Sequence, residues 1–196
     1  MLRPGHLLGG ITLIELMIGL AIIALLFALG TPSFLTWIQN TQIRTTAEAI
    51  QNGLQLARAE AVRRNATVRF VLVSNVTAAC APSTTGAGWV VSQDDPTGAC
   101  DSAASDTVAP RIVQMRSAAE GSGNAVVAAS QAVVIFNGLG RVTPVPAGNI
   151  DIDITNPAGG ACAAAGPMRC LRIRVSTGGQ IRMCDPVLAS TDPQGC

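Results

Sequence analysis

The chain has 196 residues, with 13 arginines, no lysine, 12 acidic residues and one histidine, for a formal net charge of +1. So even a balance excludes a protein that grips nucleic acid or acidic membrane through its charge as a whole, and any basic patch must be local. His6, the one imidazole, lies in what reads as a removable leader, so the remainder lacks the commonest general base and has nothing to activate a cysteine nucleophile; an enzyme is not expected.

The first element is an apolar run from Ile11 to Gly30 in which Glu15 is the single ionisable side chain. As a helix it would be about 30 Å long, enough to cross the hydrocarbon of a bilayer. A carboxylate there costs about 2.5 to 3.5 kcal/mol and calls for a partner. Cleavage after Gly10 would create one, the α-amino group of Ile11, and pairing with a neighbouring subunit is easier than pairing within the chain. A secretory signal would need a small-residue cleavage site beyond the apolar core, and Gly30-Thr31-Pro32 is a poor one. Arg3, His6 and the initiator amine keep the N-terminal side cytoplasmic, which sends the rest to the periplasm or exterior.

The stretch Gly9-Gly10-Ile11-Thr12-Leu13-Ile14-Glu15-Leu16-Met17 resembles the start of type IV pilins and pseudopilins. That resemblance implies cleavage by prepilin peptidase between Gly10 and Ile11, N-methylation of Ile11, and an assembly role for Glu15. Ile11 stands where the family usually has Phe, and Gly9 where it usually has a basic residue. Pro32 matches a helix-kinking proline of the family, as proline in a helix interior would do on physical grounds alone.

The helix does not stop there, because Ile43, Ala47, Ile50, Leu54, Ala57 and Ala61 form an apolar seam with Arg44, Glu48, Gln51, Gln55 and Arg58 off it. It is expected to reach Arg64, with Asn65 as a left-handed terminator. From Ala66 the period becomes two, Val68, Phe70 and Leu72 alternating with Thr67, Arg69 and Val71. Further strands are expected at 89–92, 108–115, 126–136, 150–155, 171–176 and 180–184, joined by loops rich in Gly, Pro, Ser and Asp. The fold class is α+β: a long N-terminal helix, half transmembrane and half amphipathic, packed on an antiparallel β-sheet. Its divisions are a leader over 1–10, the helix over 11–64 with about 11–34 in the inner membrane, and a periplasmic β-rich domain over 66–196.

Cys80, Cys100, Cys162, Cys170, Cys184 and Cys196 all follow the apolar run, on the side where disulfides persist. Six cysteines allow about fifteen pairings; neighbours along the chain, 80 with 100, 162 with 170 and 184 with 196, are the simplest. No Cys-x-x-Cys occurs, so no zinc site is expected. Asp94, Asp95, Asp101 and Asp106 share a loop that could gather round calcium but lack a ligand spacing. Neither metal nor cofactor is expected. Asp151 and Asp153 alternate with Ile150, Ile152 and Ile154, which marks the outer face of a half-buried strand.

Arg169, Arg172, Arg174 and Arg182 cluster near the C-terminus, Arg172 and Arg174 on one strand face, and the Thr177-Gly178-Gly179 turn returns Arg182 beside them. Such a hairpin could track a phosphate backbone. A solvated face is the simpler reading.

The run Leu54 to Asn65, the turn Phe136-Asn137-Gly138-Leu139-Gly140-Arg141 and the segment Arg182-Met183-Cys184-Asp185-Pro186 are similar to the FimT/GspH branch of minor pilins and pseudopilins. That resemblance implies the pilin fold and a subunit that helps initiate or cap a type IV pilus or a type II secretion pseudopilus. Its partners would be other pilins or pseudopilins, prepilin peptidase, an inner-membrane assembly platform and membrane lipid. Some members bind DNA through a Gly-Arg-x-Arg hairpin during natural transformation; here the matching residues are Gly179-Gln180-Ile181-Arg182, with Gln180 in place of the first arginine.

Overall fold

A computed structural model describes residues 12–120 and 123–196; the expected leader and the Gly10/Ile11 junction lie outside them. The chain divides into two compact units, one ending at Leu35 and the other starting at Thr36. The first element is helix α1, Leu13–Arg64. Thr12 caps it, its Oγ1 accepting from the Glu15 backbone N–H at 3.3 Å, so Thr12 and Glu15 occupy the first and last places of the Thr-x-x-Glu pattern that starts helices. The helix continues through Pro32. At the far end Asn65 takes φ 47°, with Ala66 N–H bonded to Ala61 O and Asn65 N–H to Val62 O, both at 3.2 Å. These two bonds satisfy carbonyls that the last turn would otherwise leave unpaired.

In the first unit the helix presents its large apolar side chains outward, from Leu13 (78% exposed) to Phe27 (72%). Among the described residues no helix is long and apolar enough to cross a membrane; the run read from the sequence begins at Ile11, beyond them.

In the second unit the expected seam is buried throughout: Ile43, Ala47, Ile50, Leu54, Ala57 and Ala61 are all at 0% exposure. The strands are β1 (Val68–Val73), β2 (Gly88–Ser92), β3 (Ile112–Arg116), β4 (Val126–Ala129), β5 (Val133–Phe136), β6 (Ile150–Thr155), β7 (Leu171–Val175) and β8 (Ile181–Cys184). They form two antiparallel four-stranded sheets, ordered β3-β2-β1-β5 and β4-β6-β7-β8. The inner faces of both, including Phe70, Leu72, Phe136, Ile152, Ile154 and Ile173, share one core with the seam.

Two strand expectations need correction. Residues 126–136 form two strands in different sheets, because the chain crosses at 130–132, where Ser130 N–H bonds to Asp151 O and Ala132 O accepts from Leu72 N–H. Residues 108–111 are a turn, not strand: Arg111 N–H returns to Val108 O at 2.8 Å and Arg111 has φ 53°. β1 is also covered on both faces. Its Val71 and Val73 enter a second core with Val90, Ile112, Cys80 and Cys100.

Disulfides join Cys80 to Cys100, Cys162 to Cys170, and Cys184 to Cys196. In the main core Phe70 and Trp89 stack with ring centroids 5.8 Å apart. Both reach the helix only because Gly53 has no side chain: a Cβ there would lie 2.8 Å from Phe70 Cε2 and 3.0 Å from Trp89 Cε2. Replacing a mid-helix glycine normally gains up to about 1 kcal/mol. Here overpacking against two buried rings wins, and Gly53→Val is expected to destabilise by about 2 kcal/mol; a thermal melt equal to or above wild type would contradict this contact.

Candidate functional site

Three places carry the residues singled out by the sequence. The first is the start of α1, where Glu15 is exposed and its backbone is fixed by Thr12. Pairing of neighbouring strands explains the second. Residues directly opposite share a sheet face, so Asp153 across from Arg172, Asp151 across from Arg174, and Arg174 across from Arg182 put the three arginines and two aspartates together on the outer face of the second sheet.

The guanidinium groups there are already engaged. Arg172 donates to both oxygens of Asp153 at 2.7 and 2.9 Å, and Arg174 to both oxygens of Asp151 at 2.8 and 2.9 Å. Arg174 also bonds the backbone oxygen of Cys196 at 2.7 Å. Arg182 holds the carbonyls of Pro193 and Gly195 at 3.0 and 2.7 Å, tying down the tail that Cys184–Cys196 closes. Arg169 stands apart from this group; it donates to Ala164 O at 3.1 Å and lies 3.9 Å from Asp185.

Hydrogen bonds from Arg174, with its charge and that of Arg172, hold the Asp151 carboxyl below the ordinary aspartate value of 3.8, against the opposing effect of partial burial. A carboxylate depressed in the folded state contributes stability that is present above its unfolded pKa and lost as pH falls through the folded value. The melting temperature is therefore expected to fall on acidification below about pH 4, and less steeply in Asp151→Asn; equal slopes in the two proteins would rule the pair out as a contributor. At neutral pH each half-exposed pair is worth about 1 kcal/mol or less.

In the loop that carries Asp94, Asp95, Asp101 and Asp106, three of the carboxylates are bonded within the chain. Asp94 takes a two-point bond from Arg111, Asp106 accepts from Arg64 at 2.6 Å, and Asp95 accepts from Thr97. Among the described residues no cluster of His, Cys, Asp or Glu could hold a metal ion.

The third place joins the end of α1 to two turns. Gly138 packs on the helix terminator, where a Cβ would lie 2.5 Å from Asn65 Oδ1. Gly140, at φ 70°, sits beneath Arg58 and Val62, and Arg58 Nε donates to its carbonyl at 3.1 Å. Gly179, at φ 84°, abuts that same carbonyl. Asn137 Oδ1 accepts from Leu139 and Arg141 N–H at 3.0 and 3.1 Å, closing the turn. Three segments far apart in the chain, the end of α1, the 137–141 turn and the turn at Gly179, therefore meet at one junction.

A family model described as type II transport protein GspH matches residues 46–179, well over half of the chain. The chain belongs to the GspH family. The matched span runs from within the helix seam to Gly179, taking in β1 to β7 and the whole glycine junction, while Glu15, β8 and the Cys184–Cys196 tail fall outside it. Membership makes the chain one of the minor pilins and pseudopilins, which are structural subunits rather than enzymes, and the helix with its antiparallel sheets is their pilin fold. The chain is similar to two crystal structures of the type IV minor pilin FimU from Pseudomonas aeruginosa (strain PAO1). One is 16% identical, with a TM-score of 0.49, covering 78% of this chain and 98% of that one. The other is 16% identical, with a TM-score of 0.46, covering 79% and 94%. No curated protein matches the chain.

Several residues that hold these places together carry little or no signal in the sequence. From the sequence Asp151 and Asp153 mark only the outer face of a half-buried strand, although the acid-apolar alternation of that strand beside the arginine-apolar alternation of the next carries the signal of their pairing. The polar pins Asn40, which accepts from Arg169 N–H and donates to Pro167 O, and Gln42, which accepts from Asn156 Nδ2, gave no pattern at all.

Proposed function

We propose that this family member is an assembling minor pilin or pseudopilin. It is inserted in the inner membrane with its N-terminus cytoplasmic and its β-rich domain periplasmic, cut between Gly10 and Ile11 by prepilin peptidase, and methylated on Ile11. An inner-membrane platform then moves it into the initiating or tip complex of a type IV pilus or type II secretion pseudopilus. The observation that carries the reading is the outward row of apolar side chains from Leu13 to Phe27, interrupted by Glu15 alone. Such a surface needs lipid or other apolar helices around it, and a charge within it needs an opposite charge. Glu15 would pair with the terminal amine of a neighbouring subunit, setting the axial register as lipid is exchanged for pilin helices.

Deleting the chain from its host is expected to reduce the number of fibres or the secreted load, and the full chain, but not residues 36–196 alone, is expected to restore it. Unchanged assembly on deletion, or rescue by the globular part alone, would contradict the proposal. The reading as a DNA receptor is not favoured, since Arg172 and Arg174 face carboxylates and Arg182 is occupied by backbone oxygens.

A further inference from the structure

The glycine junction holds up something to solvent. Leu139, at the tip of the 137–141 turn, is 78% exposed, and Val62 beside it on the helix is 52% exposed. The turn is fixed at its base by Asn137 and wedged against Asn65, Arg58 and Val62 by Gly138 and Gly140, so the leucine is presented by rigid backbone. Next to it the exposed helix face forms a shallow cavity of about 460 Å³ lined by Gln55, Arg58, Ala59, Val62 and Arg63. Knob and cavity together make an apolar centre. The surroundings are cationic: Arg63, in the cavity lining, is matched by Glu60, but Arg58, also in the lining, and Arg141, which follows Leu139 in the turn, are exposed and, among the described residues, form no ion pair.

We propose that Leu139, Val62 and Ala59 are the centre of a docking surface for a different subunit of the same assembly, one that presents an apolar patch edged by carboxylates. This rests on the reading of the chain as an assembling subunit. A pre-ordered apolar anchor loses little entropy on binding, and a buried anchor of this kind supplies most of an interface's affinity while the charged rim selects the partner. The uncompensated arginines reject a basic surface and select an acidic one.

The test places a photo-crosslinking side chain at Gln55 of the full-length protein in its native membrane. The expected product joins it to one other fibre subunit, with Asp or Glu in the crosslinked peptide identified by mass spectrometry. Leu139→Asp should lower its yield about tenfold, with the melting temperature and disulfides unchanged because Leu139 faces solvent. Arg141→Glu should lower it too, and Arg in place of the partner's carboxylate should restore it. An adduct only with a second copy of this chain, or a yield unmoved by Leu139→Asp while the protein still enters fibres, would overturn the docking surface alone. Absence of the unaltered chain from fibres would overturn the assembly reading and this proposal with it.

Discussion

Replacing Glu15 by alanine is expected to leave the protein inserted and folded but to cut its recovery in assembled fibres by about a hundredfold. The magnitude follows from the environment: a positive charge left unpaired among apolar helices costs about 2.5 to 3.5 kcal/mol, and each 1.4 kcal/mol is about a factor of ten. Glu15→Gln keeps the length and loses the charge, so it should behave like alanine if pairing is what matters. The Thr12 cap accepts from the Glu15 backbone N–H, which both variants keep, so the start of α1 is expected to be unchanged in them. Normal incorporation of Glu15→Gln, measured by pulling down sheared fibres, would contradict the charge pairing.

The largest effect on folding is expected at Gly179. Alanine there would place its Cβ 2.0 Å from the Gly140 carbonyl oxygen, a backbone atom of a separate turn, and at a φ of 84° that L side chains avoid. The left-handed conformation costs about 1 to 2 kcal/mol by itself. Relieving the clash means pulling the β7–β8 turn from the 137–141 turn and so from Arg58. A total of about 3 to 4 kcal/mol is expected, lowering the melting temperature by about 10 °C or more. Gly178 supplies the comparison: its nearest neighbour to an added Cβ is Ser176 Oγ at 3.7 Å, and Gly178→Ala should melt within about 2 °C of wild type. A Gly179→Ala protein as stable as Gly178→Ala would show that the junction yields.

Much of the fold could be read from periodicity, because one-sided burial writes itself into the sequence. The six seam residues of α1 are all fully buried, and the change of period at Ala66 marks where the helix ends and β1 begins. What periodicity did not show was cover from outside a strand's own face. Val71 and Val73 look like the outer side of β1 until the 74–111 excursion, with Cys80 and Cys100, folds over them. Nor did it show the break at 130–132, where Ser130 and Gln131 carry none of the glycine or proline that marks most turns. At the candidate sites the arginines were visible and their partners were not, since Asp153 lies nineteen residues from Arg172 and meets it only through strand register. The glycines of the 137–141 turn and of the hairpin were noted singly; that they lock against one another is a property of two turns brought together by the sheets.

Assembly depends on how the opening segment is processed, and the intact mass of the protein isolated from its native membrane, before and after reduction, tests this most directly. The expected mass lacks Met1 to Gly10, carries one added methyl group, and rises by about six hydrogens when the three disulfides are reduced. A mass that retains the leader, or that begins near Gly30, would contradict assembly through a processed Ile11 and Glu15.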